Sequence, residues 1–276
     1  MNYRHAYHAG NFADVFKHAI LALLVERLKA KPTPFAVIDT HAGAGLYDTA
    51  GPEAQKTGEF AAGYGRIAAG APEPALAPYL AAVDAVNPDR ARRFYPGSPL
   101  VALALMRPQD RLVACELHPE DARALKRTLA GDPRAHVHAR DGYAALKALL
   151  PPRERRGLVL LDPPFEQPDE RRRAVRALAA AHARWPTGIY ALWYPIKAAA
   201  EAGLLHAELA NTGIRRQLAA ELRIAGADDP ARLNGCGLAI VNPPFRLDET
   251  LATTLPALQR RLAPAGGTRL AWIVPE

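Results

Sequence analysis

Residues 157–165 read GLVLLDPPF, a consecutive apolar run closed by an acid, two prolines and an aromatic. Apolar residues on successive positions, without alternation and bounded by turn formers, read as a short strand buried on both faces, as in a parallel sheet. The same phrase recurs along the chain in FAVID (35–39), RLVACE (111–116), AHVHARD (135–141), GIYALWY (188–194) and GLAIVN (237–242), several of them ending in an acid or amide. Helical patterns fall between most of these runs, over 119–130, 142–150, 169–184 and 196–211. An amphipathic first helix is predicted over 12–30, where Phe12, Phe16, Ile20, Leu23, Leu24 and Leu28 share a helical spacing, Asn11 is the candidate cap and Pro32 lies beyond the end. Strands alternating with helices predict an α/β fold with a doubly wound, mostly parallel sheet. The last run, RLAWIV (269–274), is expected to insert antiparallel.

Residues 50–97 break this rhythm with Gly51, Gly58, Gly63, Gly65 and Gly70, several prolines and no convincing apolar strand. Asp39 and Glu116, successive acidic strand ends, are 77 residues apart, whereas a whole βαβ unit needs only about 30. The excess predicts a small inserted, partly helical subdomain over 50–97 within a main domain of 1–49 and 98–276, with a helix and motif block at 1–30.

The 276 residues suffice for a full core. Lys plus Arg is 35 against 28 for Asp plus Glu, a formal charge of +7, and 28 of the 35 cations are Arg. That balance excludes an acidic disordered chain and permits a polyanionic partner, with guanidinium groups suited to phosphate. Cys115 and Cys236 stand far apart without metal-ligand spacing, so neither a disulfide framework nor a zinc site is expected, and each is placed in a buried strand. The opening MNYRHAYHAG lacks the apolar core of a signal peptide and no run reaches membrane length, so a cytoplasmic protein with no membrane association is expected.

Ligands of open α/β sheets bind outside the carboxyl ends of the strands, so the residues closing each run should line one crevice. Asp39 is followed by THAGAG, where Gly43 and Gly45 allow backbone amides close to a ligand, although the pattern is not G-x-G-x-x-G and a dinucleotide site is disfavoured. Glu116 can accept from two ribose hydroxyls, and Asp141-Gly142 offers an acceptor and an amide to an adenine edge, although either acid taken alone reads first as a helix cap. Together they suit adenosine without phosphate, because carboxylates repel phosphate and attract a sulfonium, which favours S-adenosylmethionine. Asp162-Pro163-Pro164-Phe165 can orient an exocyclic amine: the carboxylate and the Pro163 carbonyl each accept one N–H, Phe165 stacks on the base and Pro164 stiffens the turn. A second copy, Asn242-Pro243-Pro244-Phe245, fits the same N/D-P-P-Y/F pattern. Strand order favours the first copy, which falls beside the first strand at the topological switch.

The blocks YRHAYHAGNFADVFKH (3–18), IDTHAGAG (38–45), YPGSPL (95–100), CELH (115–118), ARDGY (139–143), LDPPFE (161–166), YALWYP (190–195), VNPPF (241–245) and WIVPE (272–276) resemble, in order and over essentially the whole chain, the RlmJ family of 23S ribosomal RNA adenine-N6 methyltransferases. The resemblance implies a Rossmann-like methyltransferase fold with a helical insertion, S-adenosylmethionine as donor, and an adenine of 23S ribosomal RNA or its precursor as acceptor. It implies His18, His41, Ser98, Glu116, Asp141, Gly142 and Asp162 as cofactor contacts, Asp162 as the catalytic residue and Tyr3 as an RNA contact. Arg4, His5, Tyr7 and His8 extend that aromatic and basic segment, and ERRRAVR (170–176) reads as a solvated basic helix face. Direct in-line methyl transfer needs no metal and no covalent enzyme intermediate. The D-P-P-F motif by itself also fits a DNA-adenine or protein-glutamine methyltransferase, and a non-catalytic RNA-binding assembly factor is the rival of a different class.

Overall fold

The computed structural model describes residues 4–71, 73–89, 91–224 and 232–276. Its strands are β1 (Ala36–Asp39), β2 (Leu46–Asp48), β3 (Phe94–Pro96), β4 (Arg111–Glu116), β5 (Ala135–Ala139), β6 (Gly157–Leu161), β7 (Ile189–Ile196), β8 (Gln217–Arg223), β9 (Gly235–Val241) and β10 (Gly267–Val274). The helices are α1 (Phe12–Lys29), α2 (Pro52–Thr57), α3 (Arg66–Ala69), α4 (Ala77–Ala85), α5 (Ser98–Leu105), α6 (Pro119–Thr128), α7 (Gly142–Leu149), α8 (Glu170–Arg184), α9 (Ala199–Ala210) and α10 (Leu247–Leu262).

Eight strands form one sheet in the order β5-β4-β1-β6-β7-β9-β8-β10. The five from β5 to β7 are parallel, and β1 pairs with β4 on one side and β6 on the other. The chain therefore reverses its winding between β1 and β6, and the crevice of an open sheet opens at that switch point. β1 and β6 are buried at every position, which is why they read as unbroken apolar runs.

The last strand, β10, is antiparallel as expected, but the placement of the final strands differs from the expectation. β9 is the strand that inserts antiparallel, between β7 and β8, whereas β10 pairs antiparallel with β8 at the sheet edge. β8, QLAAELR, had no counterpart among the sequence runs, because Glu221 interrupts it. Glu221 is nonetheless buried, and it accepts from the Tyr194 hydroxyl at 2.9 Å with His206 Nε2 at 3.2 Å. A partnered carboxylate is tolerated inside where an isolated one is not.

α1 is not amphipathic: fourteen of its eighteen residues are buried, among them Asp14, Lys17 and His18. One face meets the sheet, and residues 50–97 cover much of the rest: Tyr64, Ile67, Leu76, Tyr79 and Val83 belong to the same apolar cluster as Phe16, Ile20 and Leu24. This segment is mainly helical, but it ends in a strand that the sequence did not show, since β2 and β3 form a three-residue antiparallel ribbon. Three residues are too few to display a period of two. The segment is tied to α10 by Arg66, donating to the Leu262 carbonyl at 3.0 Å, and by Arg261, donating to the Ala71 carbonyl at 2.8 Å.

Candidate active site

A cavity of about 900 Å³ opens at the carboxyl ends of β1, β4, β5 and β6, within the range of sites that enclose a small organic ligand. The strand ends contribute His41, Glu116, Asp141 and Asp162, and the N-terminal block contributes His5, His8, Asn11, Asp14, Lys17 and His18 as the facing wall.

Asp162 follows β6 directly. Lys17 Nζ bonds its Oδ2 at 2.5 Å and bonds Asp14 Oδ1 at 2.9 Å. Burial works against the Lys17 charge, but Asp14 and Asp162 outweigh it and hold the ammonium well above the ordinary lysine range. Burial likewise opposes the charge on Asp14, and His5 and Lys17 overcome it, keeping that carboxyl well below its usual range. The second oxygen, Asp162 Oδ1, has no hydrogen-bond partner among the described residues, and Asp162 lines the cavity. Beyond Pro163 and Pro164, Phe165 adopts a left-handed φ of 50° and sets its ring edge-on to Trp193, centroids 5.8 Å apart. A bulky residue in that region costs about 1–3 kcal/mol, a strain typical of sites where side-chain direction matters more than local comfort.

On the other side of the cavity, Glu116 is buried, and its two oxygens accept from Gly43 N at 2.8 Å and His118 N at 2.7 Å. Burial raises its pKa, and those two amides pull the other way. The Gly43 amide, expected to face a ligand, is thus spent on orienting Glu116, and a Cβ at Gly43 would lie 2.2 Å from the Tyr47 hydroxyl. Asp141 caps α7 through Ala144 N at 3.0 Å and pairs with Arg173 at 2.5 Å; burial opposes its charge, but these partners lower its pKa. It lines the cavity while also filling the cap role. Gly142 is required by close approach, since a Cβ there would meet the Thr40 carbonyl oxygen at 2.0 Å.

His41 and His18 are held neutral, chiefly by burial, which depresses them to about 4 and about 3, with Arg173 near the first and Lys17 near the second lowering them further. His18 Nδ1 contacts the Tyr95 hydroxyl at 2.8 Å, and Ser98 begins α5 at the cavity wall. Arg4 is paired with Glu120 at 2.8 Å near the surface. Tyr3 lies outside the described residues.

Sequence reasoning assigns no role to Asp14, Lys17 or Trp193, all of which line the cavity. The available signal was a carboxylate and an ammonium three residues apart in an otherwise apolar helix, a pair that burial makes costly unless it has partners. Asn242 is not in this cavity. β9 runs against β7, pairing Val241 with Tyr190, so Asn242 emerges at the amino end of the parallel strands, where its side-chain amide donates to the carbonyls of Pro186 and Gly188, both at 2.8 Å.

The family that this chain matches makes it a methyltransferase, a class whose fold and chemistry imply S-adenosylmethionine as donor. The chain belongs to the RlmJ family: residues 32–274 match the family described as "Ribosomal RNA large subunit methyltransferase D, RlmJ". It is 42% identical over 279 residues to "Ribosomal RNA large subunit methyltransferase J" of Escherichia coli strain K12 and 39% identical over 281 residues to the protein of that name in Haemophilus influenzae, with both partners covered in full each time. A crystal structure of a Legionella pneumophila protein superposes with a TM-score of 0.89 at 31% identity, covering 96% of this chain and 98% of that one.

Proposed function

We propose that this chain transfers a methyl group from S-adenosylmethionine to the N6 amino group of an adenine in 23S ribosomal RNA or its precursor. The observation that carries the reading is the bidirectional setting of Asp162: one oxygen is fixed by buried Lys17, and the other is left to a ligand beside the strained Pro-Pro-Phe turn.

The donor-side residues fit the cofactor chemically. Glu116, Asp141 and Asp162 make the wall anionic, which suits a sulfonium and an ammonium and disfavours phosphate. Glu116, preoriented by two amides, would take the ribose hydroxyls; Asp141 and Gly142 would take the adenine edge; His18, His41 and Ser98 would line the remainder. Bound there, the cofactor supplies an electrophilic methyl carbon.

Asp162 Oδ1 and the Pro163 carbonyl each accept one N–H of the acceptor amine, turning the nitrogen lone pair out of conjugation with the ring. Phe165 holds the base by stacking. S-adenosylmethionine held there would supply the methyl group and keep the C–S electron pair on its departing sulfur, and Asp162 Oδ1 would accept the proton that the methylated nitrogen sheds. Orientation supplies much of the rate enhancement. The test is methyl incorporation from labelled S-adenosylmethionine into 23S ribosomal RNA fragments, duplex DNA and protein, with the product base identified. N6-methyladenine in RNA alone is the expected result, and label in DNA or glutamine would replace this reading.

A further inference from the structure

Glu59, in the segment 50–97, grips the wall that faces the strand ends. Its Oε1 meets His8 Nδ1 at 2.9 Å and its Oε2 accepts from Asn11 Nδ2 at 3.1 Å. Asn11 uses the other end of its amide, Oδ1, to cap α1 through Asp14 N at 2.9 Å. Asp14 then holds Lys17, and Lys17 holds Asp162. One carboxylate thus sits at the start of an unbroken polar chain to the site.

The backbone beside Glu59 makes a second contact. Residues Ala61–Gly65 form a π-helical turn, and Tyr64 N donates to the Gly10 carbonyl at 2.8 Å. A Cβ on Gly63 would lie 2.2 Å from Gly10 O and 2.4 Å from the Asn11 carbonyl carbon, so this turn abuts the main chain of residues 10–12 with no room between. π-Helical turns recur at functional positions because they re-aim a few backbone groups. The Thr57 hydroxyl also donates to the Tyr7 carbonyl, and the Lys56 ammonium lies 5.5 Å from the centre of the Tyr7 ring. All of these contacts fall on residues 7–12, where the chain has only a 3-10 turn of its own, His5–Tyr7, before α1.

We infer that Glu59 is a positioning residue: the inserted segment holds residues 5–11 as a fixed wall of the acceptor side, and the Asn11 cap transmits that placement to Lys17 and Asp162. This rests on the proposed function for its effect on RNA, though not for the clamp itself. An exposed ion pair alone would be worth little. Here a two-pronged carboxylate acts together with a backbone abutment on a segment that Asp14 ties from the other side, through His5 Nε2 at 2.9 Å and Gly10 N at 3.0 Å. The directions of the pKa shifts agree, His8 raised first by its hydrogen bond to Glu59, and Glu59 lowered by His8 and Asn11 against the effect of burial.

Glu59→Ala should lower kcat/KM for RNA about tenfold to a hundredfold, as for lost hydrogen bonds to a charged group. Affinity for S-adenosylmethionine should stay within about twofold, because Glu116 and Asp141 stand on other elements and His18, although on α1, is held separately by the Tyr95 hydroxyl. Amide exchange at residues 5–11 should quicken while exchange in β1 and β6 does not. Glu59→Gln should restore most of both properties, since its amide can accept from Asn11 and donate to a neutral His8 Nδ1. His8→Ala combined with Glu59→Ala should add little to Glu59→Ala alone, and His8→Ala by itself tests the same bond should Glu59→Ala fail to fold.

Unchanged exchange at 5–11 in folded Glu59→Ala or His8→Ala protein would overturn the clamp. So would a Gln variant as impaired as the Ala variant, or a loss of cofactor affinity and thermal stability in step with RNA turnover. Wild-type protein that methylates no RNA would remove the proposed function, and the exchange measurements would still decide the clamp.

Discussion

The chain carries the pattern X-Pro-Pro-Phe twice, at 162–165 and 242–245, and the two copies have opposite fates. Asp162 leaves a parallel strand at its carboxyl end, beside the switch point, and meets Lys17 and the cavity. Asn242 leaves an antiparallel strand, so the end of β9 lies at the amino end of the parallel strands, and its amide closes the turn that launches β7. Their aromatics differ accordingly: Phe165 is half-buried against Trp193, and Phe245 is 84% exposed. The backbone differs too, with the positive φ on the aromatic in the first copy and on the amide, φ 52°, in the second. Asn tolerates that region through its short polar side chain, so the second copy is the relaxed version of the turn. A motif's chemistry thus depends on which way its strand runs, a property that no residue within the motif reports.

The widest separation of the two copies should come from deleting each head group. Asp162→Ala should lower kcat by about a thousandfold, the scale of losing a preorganised group at the reacting atoms, in protein that folds but is less stable, because buried Lys17 keeps only Asp14 as its partner. Asn242→Ala should cost about 1–3 kcal/mol of stability for carbonyls left without a donor while the folded protein turns over normally. Single-turnover methylation and denaturant melts on both variants decide it, and the opposite pattern would move the site to the second copy.

Next in size is the donor side of the first copy's cavity. Glu116→Ala should weaken S-adenosylmethionine binding about tenfold to a hundredfold by calorimetry, the range for hydrogen bonds to a charged group. Unchanged affinity would detach Glu116 from the cofactor and leave it as the partner of Gly43 and His118 alone.

A smaller effect, and one confined to the first copy's end of the sheet, concerns pH. Asp39 is 1% exposed, and its pKa is pushed up to about 7 by burial first, with the charge of Asp162 adding and the Ser98 hydroxyl opposing. Between 3.8 and about 7 it is therefore protonated when folded and ionised when unfolded. The folded state binds the extra proton, so the contribution is fully present at low pH and is lost as pH rises through that window. Asp39→Asn should remove this loss, giving a flatter stability profile from about pH 4 to 7 than the parent chain. Parallel profiles for parent and variant would mean that Asp39 stays charged.

Much of this arrangement was readable beforehand because burial on both faces writes parallel strands as unbroken apolar runs, and because an open sheet collects its strand ends in one crevice. Asp162, Glu116 and Asp141 could be read in that way. Lys17 could not, since a lysine in a helix counts as surface until a partner 145 positions away is brought to it. β8 was hidden by Glu221, whose burial depends on Tyr194 and His206 from two other elements. The polarity of β9 was hidden because an antiparallel strand buried at every position looks the same as a parallel one. In each case the missing information is a long-range partner, which a local pattern does not contain.

The finest test of the two copies uses their aromatics. Phe245 is an exposed ring at the amino end of the parallel strands and is not among the residues that line the cavity. Single exposed apolar side chains are ordinary on protein surfaces and carry little energy. Phe245→Ser should therefore change stability by less than about 0.5 kcal/mol and leave methyl transfer and cofactor affinity as they were. Phe165, held in a strained backbone and edge-on to Trp193, has the geometry of a base platform, and stacking on such a ring is worth about 1–3 kcal/mol per base. Phe165→Ser measured alongside should lose that amount from RNA kcat/KM. If Phe245→Ser lowered RNA turnover comparably, the acceptor strand would have to reach around the sheet to its amino end. The two copies would then be two contacts on one RNA, and strand direction would no longer separate a site from its sequence twin.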